Sequence, residues 1–172
     1  KVIRGWVFYD WANSVYNLVI SSAIFPIFYE KSTSAAYKSR LPEGTNFRSE
    51  DVTSMFFGIE VSSSVLYTYV LAASFLCVSI MSPILSGVAD YSGKKKFFLR
   101  FFCYLGAISC CGLFFFDASN IGWSMIPFFL ASIGFWSSLV FYNSFLPEIA
   151  DPEDHDRISA KGFSMGYIGS MV

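Results

Sequence analysis

The stretch Val7–Tyr29 reads VFYDWANSVYNLVISSAIFPIFY, and it constrains the fold more than any other part of the chain. It is long enough to carry a helix across a hydrocarbon layer of about 30 Å at 1.5 Å per residue. Almost every position is aliphatic or aromatic, yet Asp10, Asn13, Ser14 and Asn17 stand in its first half. On a wheel of about 100° per residue these four and Ser21 fall within about 100° of one another. Lipid offers polar groups no partners, so such a stripe faces a bundle interior or a wet cavity.

The rest of the chain agrees on the solvent. Of 172 residues, 54% are hydrophobic and only 15% charged, with 20 Phe, 10 Tyr and 4 Trp; the mean hydropathy is +0.50. A soluble domain has about 25% charged residues, so this is an all-α membrane protein. A net charge of −1 leaves no surplus of cations to neutralise phosphates, which argues against a nucleic-acid partner. Four full transmembrane helices are predicted: 6–29, 61–86, 97–116 and 123–146. A fifth, 158–172, is too short to cross and is expected to be incomplete. Residues 30–60 form an external connection, within which Ser49 is placed to cap a helical lead-in holding Glu50 and Asp51. The first span is too long and too polar at its start for a cleaved signal peptide.

Basic residues set the orientation. Lys1, Arg4, Lys94, Lys95, Lys96, Arg100, Arg157 and Lys161 fall on one side of the predicted spans, and Lys31, Lys38, Arg40 and Arg48 on the other. The richer side, with the N-terminus, is expected to be cytoplasmic. Cys77, Cys103, Cys110 and Cys111 all lie inside spans and read as small packing residues. His155 stands alone in the acidic stretch DPEDHDR, which reads as a solvated loop rather than a metal site. No nucleophile–base pair, phosphate loop or cofactor motif occurs, so neither an enzyme nor a cofactor is expected.

Between the second and third spans, GVADYSGKKK (Gly87–Lys96) sets two glycines six apart around one acid, followed by a basic triplet. Gly93 suits the positive φ of a tight turn; Asp90 is a charge in need of donors; Lys94 and Lys95 stay in water or at anionic head groups. The pattern resembles the helix 2–3 motif of the major facilitator superfamily, departing from it at Tyr91, where a basic residue is usual. YDWANS (Tyr9–Ser14), FYNSFLPEIADPE (Phe141–Glu153) and RISAKGFSMGYIGS (Arg157–Ser170) are similar to its vacuole effluxer-like branch.

That resemblance implies a major facilitator-type helical bundle of twelve helices in two halves, of which this chain is the N-terminal portion. It implies a secondary transporter that moves a small polar solute, amino acids favoured, by alternating access. The partners are then the solute, a proton or sodium as coupling ion, the lipid bilayer and a C-terminal half. The setting is a multi-pass membrane protein, in a bacterial inner membrane or a fungal vacuolar membrane. The candidate site residues are Asp10, Asn13 and Asn17 in helix 1, with Tyr142 and Asn143 near the end of helix 4. Asp10 reads equally as a coupling carboxylate and as a charge at an inner gate. Gly87, Asp90, Gly93, Lys94 and Lys95 are the candidate gating motif. A second polar stripe is expected on helix 2 (Glu60, Ser63, Ser64, Tyr67, Ser74), and a third on helix 4 (Ser132, Trp136, Asn143). The small face Gly162, Gly166, Ser170 of helix 5 reads either as a sliding surface for the other half or as static packing. A membrane scaffold or sensor on the same helices is the rival reading.

Overall fold

The computed structural model describes residues 2–42 and 45–171. Its first element is one helical rod made of three parts. The helix α1 (Val2–Val15) passes into a π-wound stretch, Tyr16–Ala23, and then into α2 (Ile24–Lys38). Pro26 lies in the first turn of α2. A proline cannot donate to the carbonyl four residues back and crowds it. The wide turn before it, with Ala23 at φ −120° and ψ −69°, absorbs that conflict.

The rod runs on to Lys38 rather than ending at Tyr29. The expected helical lead-in near Ser49 is also absent from the described residues. Ser49–Asp51 make a single 3₁₀ turn, in which the Arg48 N–H donates to Asp51 Oδ2 at 2.9 Å. The chain then folds into an antiparallel hairpin, β1 (Thr53–Phe56) and β2 (Ile59–Ser62), with Phe56 opposite Ile59. β-branched and aromatic residues on either side of a two-residue turn outweigh the helix-start signal there. Both turn residues have positive φ, Phe57 at 47° and Gly58 at 90°, the mirror-image turn that matches strand twist. Glycine adopts this freely, whereas Phe57 bears about 1–2 kcal/mol of strain. Its ring sits on Gly122, where an added Cβ would meet it at 3.3 Å, and against Trp123 at 5.9 Å between centroids. Glu60 therefore belongs to the hairpin and not to a helix stripe; its Oε1 accepts from Thr53 Oγ1 at 2.6 Å.

The remaining helices are α3 (Ser63–Ser92), α4 (Lys95–Gly112), α5 (Ile121–Ser144), the single turn α6 (Leu146–Ile149) and α7 (His155–Met171). Four helical stretches are long and apolar enough to cross a membrane: Val2–Lys38, Ser63–Ser92, Lys95–Phe115 and Ala118–Ile149. The α3 helix extends six residues past the expected end, so Gly87 and Asp90 are helical. It stops at Gly93, whose φ of 64° makes a left-handed cap. The Lys94 N–H reaches Ala89 O at 3.2 Å and the Gly93 N–H reaches Asp90 O at 3.3 Å, the paired bonds of a Schellman ending.

The helix α5 is the axis of the bundle and takes part in all three apolar clusters. At the hairpin end, Phe128, Met125 and Ile121 pack with Phe25 and Tyr29 of α2 and Leu66 of α3. In the middle, Ile133 and Phe141 pack with Val78 and Ala89 of α3 and Phe102 of α4. At the other end Tyr142 packs with Trp6 and Val7 of α1 and Ile158 of α7. α4 lies closest to α5 where Gly106 faces Gly134, small residues letting two backbones approach.

Candidate functional site

A cavity of about 430 Å³ opens between α1, α5 and α7, within the roughly 300–1,000 Å³ typical of small-molecule sites. Asp10, Asn13 and Asn17 enter it from the first rod, and Tyr142 and Asn143 from α5. The fold thus brings together all five residues singled out in the sequence. Tyr142 is 3% exposed and lies in an aromatic stack, 4.4 Å from Trp6 and 5.0 Å from Tyr9 between centroids. The Trp6 Nε1–H donates to the Tyr142 carbonyl at 3.0 Å. Among the described residues the Tyr142 hydroxyl and the Asn13 amide nitrogen are buried with no hydrogen-bond partner. An unmet donor in a buried place is costly, so both are available to a bound polar group. Asn17 and Asn143 stand exposed on the cavity wall.

The stripe holds through Asn17, just inside the π stretch, and then changes. Ser14 lines the cavity and its Oγ donates to Gly166 O at 2.7 Å. Ser21, expected beside Asn17, is turned away, and its carbonyl accepts from the Tyr67 hydroxyl of α3 at 2.9 Å. Ser22 takes its place and donates to Asn17 O, five residues back, at 2.8 Å. π winding pairs i with i+5, so the residue five along replaces the residue four along on one face. Ser132 holds Tyr16 at 2.9 Å, while Trp136 packs in the α3–α4–α5 cluster and does not line the cavity.

The third wall, α7, was not foreseen. Ser159, Phe163, Tyr167 and Ser170 line the cavity at spacings of four, four and three, a helical face visible in the sequence. Of the neighbouring small face, Gly162 and Gly166 pack on α1, while Gly166 and Ser170 also border the cavity. A Cβ on Gly162 would meet the Trp6 ring at 2.8 Å, one on Gly166 the Asp10 carboxylate at 3.1 Å, and one on Gly169 would collide with the Trp11 carbonyl oxygen.

The glycine–acid–lysine motif forms a separate cluster, at the end of α3. Lys95 Nζ lies 2.8 Å from Asp90 Oδ1 and 2.6 Å from Glu148 Oε1 of α6. One ammonium thus ties the end of α3 and the start of α4 to the turn that follows α5. Glu148 was not singled out in the sequence, since nothing in a linear reading pairs it with Lys95. Lys94 occupies the N-cap position of α4, and an added Cβ on Gly87 would touch nothing within 4 Å.

Comparison with known proteins follows the same lines. An MFS-type transporter of Bacillus subtilis, YxiO, is 35% identical over 175 residues, covering 100% of this chain and 36% of the relative. Autophagy-related protein 22 of Coccidioides immitis is 26% identical over 172 residues, covering 86% of this chain and 28% of the relative. The chain therefore spans about a third of the length of these curated relatives. No solved structure matches it. The pattern of the family described as vacuole effluxer Atg22 like matches residues 1–172, and the chain belongs to that family.

Proposed function

We propose that this chain is the N-terminal portion of a secondary transporter that carries a small polar solute, amino acids favoured, by alternating access. The observation that carries the reading is the cavity between α1, α5 and α7, where a carboxylate, two amides from the first rod and the Tyr142–Asn143 pair converge among membrane-crossing helices. The transporter named among the relatives supports it, and the family match points to transport rather than to enzymatic chemistry. The further length of the relatives then supplies a second half, and the cavity opens toward it. Asn13, Asn17 and the Tyr142 hydroxyl contact the solute, and Asp10 holds a proton, a sodium ion or the solute's ammonium group. The end carrying Arg4, Lys94, Lys95, Lys96, Arg157 and Lys161 faces the cytoplasm. There Gly87, Asp90, Gly93, Lys94 and Lys95 form the inner gate.

The test is solute counterflow by the intact protein in proteoliposomes, run over an amino-acid panel. Asp10→Asn is expected to insert normally and to flatten the dependence of transport on pH or sodium. A variant with unaltered ion dependence removes Asp10 from coupling. Silence over the whole panel, from protein that is monodisperse, removes the amino-acid reading.

A further inference from the structure

A second hollow, about 450 Å³, lies at the hairpin end of the bundle and shares no lining residue with the polar cavity. Its walls are Tyr69 and Ala73 of α3 and Gly122 and Ile126 of α5, and the hairpin roofs it with Phe56 and Phe57. No charged residue lines it, and the only polar side-chain atom in the lining is the Tyr69 hydroxyl. From Leu66 to Ala73 it extends about 10 Å along α3, roughly a third of the hydrocarbon thickness.

We infer that this hollow is a binding site for one acyl chain of a membrane phospholipid, clamped under the β-hairpin. Three observations say what fills it. First, the hollow does not end in a wall along α3. Tyr69, Leu76, Ile80 and Ile84 are 58–66% exposed and, with Ala73, repeat at intervals of four, three, four and four residues. They make one apolar stripe down a helix long enough to cross the membrane. Such a stripe is what a spanning helix presents to lipid tails, so the hollow is an inlet from that surface. Second, its mouth carries Tyr69 and, beside Phe57, the 71% exposed Trp123. Aromatic rings with one polar atom belong at head-group level, which places the roof at the interface and the hollow just beneath it. Third, the roof is held in place against local preference. Phe57 keeps a left-handed φ of 47°, and Gly122 lacks the Cβ that would press on its ring at 3.3 Å. A hairpin that merely joined two helices has no need of a strained phenylalanine over a glycine.

The test uses the intact protein in phosphatidylcholine nanodiscs doped with a phosphatidylcholine bearing a diazirine in its acyl chain. After illumination, labelled peptides are quantified by mass spectrometry. Labelling is expected to concentrate several-fold on Leu66–Ala73 and Gly122–Phe129 relative to the exposed Ile80 and Ile84. Ala73→Phe, which fills the hollow from α3, should lower it to the level of Ile80 and Ile84 while leaving those two unchanged. Ile126→Phe fills it from the opposite wall and serves if the first variant is not monodisperse. Even labelling along α3 means bulk lipid contact only and overturns the site. So does groove labelling that survives both fillings, or groove labelling below that of Ile80, as a second copy or another polypeptide segment seated there would produce.

Discussion

At the residue scale the bundle is held by a few places where nothing larger than hydrogen fits. Gly134 is one: a Cβ there would lie 2.5 Å from Gly106 N and 2.7 Å from its Cα, backbone that cannot rotate away. The converse substitution is different, because a Cβ on Gly106 would meet its nearest neighbour, Phe135 N, at 3.5 Å, ordinary contact. Gly134→Ala is therefore expected to push α4 from α5 and to cost about 1–3 kcal/mol, the usual range for overpacking. Gly106→Ala should be neutral or slightly stabilising, since alanine is favoured over glycine in a helix by up to about 1 kcal/mol. Thermal unfolding of both variants in detergent checks the asymmetry, and equal losses would refute it. Spacing in the sequence revealed that α7 had a small face, through Gly162 and Gly166. It did not reveal who approaches that face, because contact across 150 residues leaves no local mark. Gly169, the tightest point against α1, was missed for the same reason.

At the element scale, periodicity announced the helices, and deviations from it escaped notice. The polar stripe on the first rod was readable as far as Asn17 because α winding fixes the angle between residues up to there. Beyond it the π stretch changes the winding, exchanging Ser21 for Ser22 on the cavity wall. Only Pro26 hinted at that break. The hairpin was hidden because its turn is Phe-Gly rather than the Asn-Gly that marks such turns. The lysine bridge is a second element-scale device. Lys95 reaches two carboxylates, but Asp90 and Glu148 have side chains 61% and 49% exposed. Exposed pairs contribute about 0–1 kcal/mol each, so Lys95→Met should change stability little. Its effect is expected in geometry: α6 comes free of α3 and α4, and the end of α5 becomes more accessible. A reporter cysteine at position 144, half-buried in the parent, should then react faster with a water-soluble maleimide in the Lys95→Met background. High salt should produce part of the same increase in the parent by screening. Unchanged reactivity would make the bridge ornamental.

At the scale of the whole molecule, one helix is surrounded and the others are not. Within the apolar window of Ala118–Ile149, 61% of residues are buried, against 6–11% in the other three spanning stretches. Lipid tails are as apolar as leucine, so stability comes from packing rather than from removing apolar surface from water. Substitutions should thus be felt in proportion to protein contact, not hydrophobicity. Phe128 is fully enclosed, stacked on Phe25 at 4.8 Å and 5.0 Å from Tyr67 between centroids; it joins α2, α3 and α5 at the hairpin end. Leu76 is just as apolar but 62% exposed on α3. Phe128→Ala should cost about 3–5 kcal/mol, the range for truncating a buried ring, because the void has no partner atoms. Leu76→Ala should stay within about 0.5 kcal/mol, as surface substitutions do. Unfolding in bicelles measures both, and the contrast separates two accounts of this fold. If helices were held by exclusion from water, the variants would differ by little more than side-chain size. If they are held by packing on α5, the Phe128 variant should loosen all the neighbours of α5 at that end. Increased maleimide reactivity of a cysteine placed at Leu66, itself 4% exposed, would report that loosening directly.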